Sequence, residues 1–135
     1  PVVYIGQDEN ELLKLLENQL RENTEEQEST AIITKTLADA KALSQTLNDK
    51  TVTLIQSENQ RLAPGVIIVP SYLAKGLEFD AVIIWHADKT RYKEDSERRL
   101  LYTVSSRAMH RLTIIAERAT TPLLNNVSKN LYEVR

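Results

Sequence analysis

A lysine, a glycine and a glutamate stand close together between two apolar runs, in the stretch SYLAKGLEFDAVII at residues 71–84. The chain has only 3 glycines, and one of them, Gly76, lies here. Glycine favours a backbone bend with positive φ, and such a bend presents Lys75 and Glu78 at the surface. A lysine can approach a phosphate, and a carboxylate accepts hydrogen bonds. The alternative is an exposed lysine that pairs with the neighbouring loop carboxylate.

A second stretch, ERRLLYTVSSRAMHRLTII at residues 97–115, carries several arginines ahead of an apolar run. Arg107 stands where a predicted helix ends beside the edge of a sheet. A guanidinium held there can stabilise negative charge on a phosphate bound across a cleft. The alternative is a surface arginine that interacts with the negative end of the helix dipole.

The elements that must position these residues alternate along the chain. Apolar β-type runs occupy residues 2–5, 31–33, 51–55, 66–69, 81–85 and 112–116. Helices are predicted to begin at Asp8, Thr36 and Ser96, because an oxygen-bearing side chain there can cap the first turn. Apolar residues then recur at helical spacing, at Leu12, Leu13, Leu16 and Leu20, at Leu37, Ala40, Leu43 and Leu47, and at Leu100, Leu101, Val104 and Ala108. This alternation predicts an α/β domain with a largely parallel sheet flanked by helices.

Size and composition exclude several classes of protein. At 135 residues, with 41% hydrophobic and 27% charged residues, the chain is predicted to form one domain over residues 1–135. No apolar run approaches the roughly 20 residues of a membrane span. The absence of cysteine excludes disulfides and thiolate zinc sites and suits a cytoplasmic protein. A net charge of -2 provides no general attraction to nucleic acid, so any such contact must be local.

The sequence lacks the motifs of a self-sufficient enzyme. It has no GxxxxGK phosphate-binding loop, and its glycines at Gly6, Gly65 and Gly76 cannot form a dinucleotide-binding fingerprint. It also has no Gly-x-Ser-x-Gly turn for a serine nucleophile. His86 and His110 lack the sequence spacing of metal ligands, so no metal site is predicted.

Taken together, the two stretches resemble motifs V and VI of the UvrD/Rep-like superfamily 1 DNA helicases. Motif V of that family reads approximately T-x-H-x-x-K-G-L-E-F-D-x-V, and residues 74–82 read AKGLEFDAV. Motif VI reads approximately E-x-R-R-L-x-Y-V-A-x-T-R-A, and residues 97–108 read ERRLLYTVSSRA. The resemblance implies a RecA-like domain, namely the second, C-terminal one of the P-loop NTPase type, which lacks the Walker A loop.

The resemblance also implies roles for single residues. Arg107 is the expected arginine finger, both catalytic and nucleotide-binding, while Gly76 and Glu78 are expected at the nucleotide, with Glu78 on the ribose. The implied cofactor is ATP, with its Mg²⁺ held by the first RecA-like domain, which this chain does not contain. The residues expected to face nucleic acid are Ser71, Tyr72 and Lys75.

Three functions are compatible with these motifs. The first is the second motor domain of an ATP-dependent DNA helicase or translocase, whose partners are the first RecA-like domain of the parent chain and single-stranded DNA. The second is a nucleotide-regulated remodelling module for a protein partner such as RNA polymerase. This second function is suggested because SYLAKGLEFDAV is similar to the HelD-type, helicase IV-like branch, and because Pro70 and Tyr72 replace the family's usual threonine and histidine. The third is an α/β interaction domain without a nucleotide.

In the first two functions the isolated chain is expected to be inactive as an ATPase. Half of a nucleotide cleft supplies few contacts, so ATP is expected to bind the isolated domain weakly or not at all.

Overall fold

The computed structural model describes residues 2–62, 64–87, 100, 103–118 and 133–134. The strands are β1 (Val2–Gly6), β2 (Thr30–Thr34), β3 (Val52–Leu54), β4 (Val66–Pro70), β5 (Phe79–Trp85), β6 (Ala108–Glu117) and β7 (Glu133–Val134). The helices are α1 (Glu9–Glu25) and α2 (Leu37–Leu47), and a 3-10 turn spans Ser71–Leu73. Within these ranges, no helix is long and apolar enough to cross a membrane.

All seven strands belong to one sheet, in the order β3-β4-β2-β5-β6-β1-β7, and every neighbouring pair is parallel. The central strands β2 and β5 are buried almost along their whole length. A strand covered on both faces needs apolar side chains in both directions, which explains the continuous runs AII and AVIIW in the sequence. The predicted α/β domain with a parallel sheet is therefore confirmed.

Two apolar layers cover the two faces of the sheet. On one face, α1 and α2 bury Leu12, Leu16 and Leu43 against side chains of the central strands, among them Ile32 and Ile83. The opposite face packs the alternate residues of the same strands against the segment that follows β4 and against the helical residues before β6. Its buried members include Ile33, Val69, Ala74, Phe79, Val82, Ile84 and Val104.

Both predicted helix starts in the described part of the chain are confirmed by capping hydrogen bonds. The Asp8 carboxylate accepts from the N–H of Glu11 at 2.9 Å, and the Glu11 carboxylate accepts from the N–H of Gln7 at 2.6 Å. The Thr36 hydroxyl oxygen accepts from the N–H of Asp39 at 3.1 Å. The bonds donated by the Glu11 and Asp39 N–H groups satisfy donors that a helix leaves without partners at its first turn.

The predictions differ from the structure near the third helix. Residues 100 and 103–105 are helical, but Ala108, predicted on the sheet-facing side of that helix, is the first residue of β6. The helix stops earlier because the N–H of Arg107 bonds to the carbonyl of Val104 at 3.2 Å and closes a turn. The predicted cap at Ser96 lies outside the described residues, and the short strand β7 was not predicted.

We expect Leu16→Ala to lower the free energy of unfolding by about 2–5 kcal/mol, because it leaves a cavity between α1 and the sheet. Leu16 is fully buried, whereas Leu13 on the same helix is only partly buried. Chemical denaturation followed by circular dichroism measures the loss, with Leu13→Ala as the matched control. Equal losses in the two variants would contradict the assigned orientation of α1.

Candidate functional site

The turn at residues 74–77 explains why the sequence places a glycine between charged residues. The N–H of Leu77 donates to the carbonyl of Ala74 at 3.1 Å, and Gly76 adopts φ of 78°. A Cβ added at Gly76 would meet nothing within 4 Å, so the requirement for glycine comes from its backbone conformation alone. The bend leaves Lys75 and Glu78 exposed on either side of it, as predicted.

The start of β5 is fixed by a reciprocal clamp between Asp80 and Ser29. The Asp80 carboxylate accepts from the Ser29 N–H at 2.9 Å and from its hydroxyl at 3.2 Å. The Ser29 hydroxyl oxygen accepts from the Asp80 N–H at 3.0 Å, and the Ser29 carbonyl accepts from the N–H of Ala81 at 2.9 Å. The clamp joins the loop before β2 to the segment that carries Glu78.

The same clamp lowers the pKa of Asp80. The main cause is the hydrogen bond from the Ser29 backbone, followed by the bond from the Ser29 hydroxyl and a smaller contribution from the charge of His110. Each of these interactions favours the ionised carboxylate. The His110 Nδ1 lies 3.5 Å from Asp80 Oδ1, and the imidazole is largely exposed.

Arg107 lies in the turn between the helical residues and β6, and its side chain is held by that turn. Its Nε donates to the carbonyl of Thr103 at 3.2 Å, and its Nη2 donates to the hydroxyl of Ser106 at 3.2 Å. In the part of the chain that the structure describes, no carboxylate pairs with Arg107. The guanidinium is thus oriented by neutral acceptors and keeps N–H donors and its full charge for an outside anion.

One backbone hydrogen bond brings the two motif segments together. The N–H of Phe79 donates to the carbonyl of Arg107 at 3.0 Å, so Arg107 takes part in this bond and Glu78 is one residue from it. β5 and β6 are neighbours in the sheet, and both residues lie at the amino ends of these strands. The structure therefore places Gly76, Glu78 and Arg107 at one edge of the sheet.

The three residues predicted to face nucleic acid occupy different environments. Ser71 is buried, and its hydroxyl donates to the carbonyl of Lys35 at 2.8 Å. That bond ties the end of β4 to the end of β2, so Ser71 positions the segment, and the expected contact rests on the other two residues. Tyr72 is 51% exposed, and Lys75 is exposed beside it.

Tyr72 and Lys75 line one wall of an open groove of about 430 Å³. Its other wall is the loop that follows β3, which includes Ser57, Gln60 and the 43% exposed Leu62. The Gln60 amide orders that loop, since it donates to the carbonyl of Leu54 at 2.7 Å and accepts from the N–H of Gln56 at 2.8 Å. Sequence reasoning missed this wall, because nothing in the loop's composition distinguishes it from any other polar connection.

The comparisons with known proteins cover the residues that form this site. A family model described as the UvrD-like helicase C-terminal domain matches residues 65–115. A solved structure, the C-terminal domain of a possible DNA helicase from Lactobacillus plantarum WCFS1, is 49% identical, with a TM-score of 0.91 over 99% of this chain and 84% of that chain. The C-terminal part of the Fun30 ATPase domain is similar in fold, with 12% identity and a TM-score of 0.55 over 81% of this chain and 42% of that chain. No curated protein matches the chain.

We expect Asp80→Asn to destabilise the chain at neutral pH and to have less effect in acid. Because the folded-state pKa of Asp80 is lowered, its contribution is present above its ordinary value of 3.8 and is lost as pH falls through the lowered value. Unfolding free energies of both proteins, measured from pH 7 down to the limit of folding, test this expectation. The difference between them must shrink with acidity.

A matched control is Asp49→Asn. The pKa of Asp49 is also lowered, first by the side chain and then by the backbone of Thr51. That bond joins residues two apart in one exposed turn, so its loss changes stability less than the loss of a clamp between distant segments. A larger effect at Asp49 than at Asp80 would contradict the importance of the clamp.

Proposed function

Because the chain belongs to the family of UvrD-like helicase C-terminal domains, we propose that it is the second motor domain of an ATP-dependent superfamily 1 DNA helicase. Membership confirms the predicted RecA-like α/β fold. A helicase of this kind places its nucleotide between two RecA-like domains, so the proposal requires a first RecA-like domain elsewhere in the parent protein.

The observation that carries the proposal is the hydrogen bond between the Phe79 N–H and the Arg107 carbonyl. It joins the two segments at the amino ends of β5 and β6, with an exposed carboxylate on one and an oriented guanidinium on the other. An acceptor for ribose hydroxyls and a cation for phosphate oxygens at one edge form the half-site that a nucleotide-binding cleft needs from its second wall.

The described residues include side chains that can bind the phosphates and the ribose of ATP. Arg107 carries a charge that no carboxylate in the described residues neutralises, and the Thr103 and Ser106 oxygens fix its direction. A preorganised guanidinium of this kind stabilises charge that develops on the γ-phosphate as the terminal P–O bond breaks. Glu78 is expected to bind the ribose, and Gly76 sets the bend that places Glu78. As the resemblance implies, Mg²⁺ would be held by the first domain, since Gly76, Glu78 and Arg107 include only one carboxylate.

The groove beside Tyr72 supports the nucleic-acid half of the proposal. An exposed tyrosine ring can stack on a base of single-stranded DNA, and Lys75 can bind the phosphate backbone next to it. Both residues belong to the loop that also carries Gly76. A conformational change at Gly76 and Glu78 can therefore move Tyr72 and Lys75, because all four residues belong to one short segment.

The comparisons do not support RNA polymerase as a partner of this chain. The departures at Pro70 and Tyr72 that suggested it have a local explanation. Pro70 ends β4 and cannot donate a backbone hydrogen bond, and a tyrosine ring can stack on a base as a histidine ring can. The motor function is therefore preferred over a remodelling function.

We expect Arg107→Ala in the full-length parent protein to lower the kcat for ATP hydrolysis by about 10³-fold or more, the loss typical of an arginine finger. ATP affinity is expected to change far less, because most nucleotide contacts belong to the first domain. Steady-state ATPase assays with and without single-stranded DNA, together with binding of fluorescent nucleotide, separate the two effects.

Arg21→Ala is the matched control, since Arg21 is an exposed arginine on α1 that lies beside Val52 and Val66 of β3 and β4, and two strands separate β4 from β6. Its ATPase activity must equal that of the unmodified protein. Unchanged turnover in Arg107→Ala would remove the arginine-finger assignment and favour an interaction domain without a nucleotide.

We expect Tyr72→Ala to weaken binding of single-stranded DNA by the parent protein by roughly 5- to 150-fold, as lost base stacking predicts. Tyr72→Phe keeps the ring and should bind nearly normally. Lys75→Gln should instead reduce the salt dependence of binding by about one phosphate contact. Fluorescence anisotropy at several salt concentrations measures all three, and equal losses in the alanine and phenylalanine variants would exclude stacking.

A further inference from the structure

A second group of chemically active side chains lies at the opposite edge of the sheet from Arg107. His86 follows the last residue of β5, Glu117 is the last residue of β6, and Glu9 begins α1 just after β1. β5, β6 and β1 are consecutive in the sheet, and parallel strands end at the same edge. Residues far apart in sequence therefore meet where α/β sheets usually place their ligands.

The donor atoms of these three side chains are close enough to share one ion. One nitrogen of His86 and one oxygen from each of Glu9 and Glu117 all lie within 4.8 Å of one another. His86 Nε2 and Glu9 Oε2 are already 2.9 Å apart. Donor atoms around a tetrahedral ion at about 2.1 Å stand about 3.4 Å apart. Side-chain movements of about 1 Å convert the observed group into a coordination shell.

The backbone holds this edge in a fixed arrangement. The N–H of Ala87 donates to the carbonyl of Ile115 at 2.9 Å, which ties the end of β5 to β6. The N–H of Arg118 donates to the carbonyl of Gly6 at 2.6 Å, which ties the end of β6 to β1. The three ligand positions are thus locked to adjacent strand ends and not to a loose loop.

Two residues at this edge adopt a conformation that L-residues rarely take. His86 has φ of 57° and Arg118 has φ of 65°. Left-handed backbone at residues other than glycine costs energy and clusters at binding and catalytic sites. His86 is also only 4% exposed, and its ring meets the Trp85 ring edge-on at a centroid distance of 4.9 Å. Its imidazole is therefore held in place beside two carboxylates.

We propose that Glu9, His86 and Glu117 bind one divalent transition-metal ion, with Zn²⁺ preferred. The three side chains offer two carboxylate oxygens and one imidazole nitrogen to a single cation. An imidazole ligand favours Zn²⁺ over Mg²⁺ or Ca²⁺, which prefer oxygen ligands alone. Three protein ligands leave the fourth tetrahedral position for water.

This site is independent of the proposed nucleotide half-site. Arg107 precedes the first residue of β6 and Glu117 is its last, so the two edges are about 30 Å apart at the usual rise per residue in a strand. Loss of metal binding therefore leaves the motor proposal untouched, and loss of the arginine finger leaves the metal site untouched.

Isothermal titration calorimetry of the 135-residue chain, purified without a histidine tag, tests the proposal with Zn²⁺, Mn²⁺ and Mg²⁺ in separate experiments. We expect one Zn²⁺ per chain, weaker binding of Mn²⁺ and no binding of Mg²⁺ at the same concentrations. Glu9→Gln and Glu117→Gln should each weaken Zn²⁺ binding at least 10-fold, since each removes one charged ligand. Zn²⁺ should also raise the Tm of the unmodified chain but not that of the variants.

Glu17→Gln is the matched control, because Glu17 is an exposed glutamate on the same helix, two turns beyond Glu9. It makes the same change of charge and must bind Zn²⁺ as the unmodified chain does. Circular dichroism of every variant establishes that the fold is kept. The proposal is overturned if Zn²⁺ shows no saturable binding, or if the Glu9→Gln and Glu117→Gln variants bind Zn²⁺ as tightly as the unmodified chain does.

The ion's position can be read from the imidazole rings, since the chain has only 2 histidines. We expect Zn²⁺ to shift the ring nitrogen resonances of His86 and to leave those of the exposed His110 unchanged. His110→Ala assigns the two signals and should not alter Zn²⁺ affinity. A shift at His110 alone identifies binding at the Asp80 pair instead and overturns the assignment.

Discussion

Burial of the central strands on both faces is the constraint on which the rest of the molecule depends. β2 and β5 carry apolar side chains in both directions, so each needs a covering layer above and below. Connections that cross back over the sheet after a strand supply these layers, and such connections leave each strand parallel to its neighbours. The stability of the domain and the placement of its polar residues follow from the same requirement.

Parallel strands sort the functional residues between two edges. Glu78 and Arg107 lie just before strands, at the amino edge of the sheet. His86 and Glu117 lie where strands end, at the carboxyl edge. The connection from β4 to β5 runs between these edges in eight residues. Along that path it passes the buried Ser71, the exposed Tyr72 and the turn at Gly76. One short segment thus touches both the groove and the nucleotide half-site.

A feature can be predicted from the sequence when the residues that determine it lie close together along the chain. Capping at Asp8 and Thr36 and the bend at Gly76 follow from local chemistry, and all were predicted. The position of Ala108 in β6 was not predicted, because the helical pattern of apolar residues continues across Arg107. Only the pairing of Ala108 with Phe79 in β5 decides where β6 begins. The clamp between Asp80 and Ser29 joins residues 51 apart, and no local pattern marks it.

The same reasoning explains the group formed by Glu9, His86 and Glu117. Metal ligands can be recognised in a sequence when they recur at short spacing. These three residues are separated along the chain by whole strands and helices, so no short spacing marks them. The absence of a metal site was predicted from spacing alone. Only the order of β5, β6 and β1 in the sheet brings the three side chains together.

The position of Trp85 makes this domain its own optical reporter. It is the only tryptophan of the chain, it is almost fully buried, and its ring touches His86 at the carboxyl edge of the sheet. An indole beside an imidazole senses whether that imidazole is protonated, because a protonated imidazole ring quenches indole emission. The intrinsic fluorescence of the chain therefore reports on one defined corner of the molecule, without a label and against no background from a second indole.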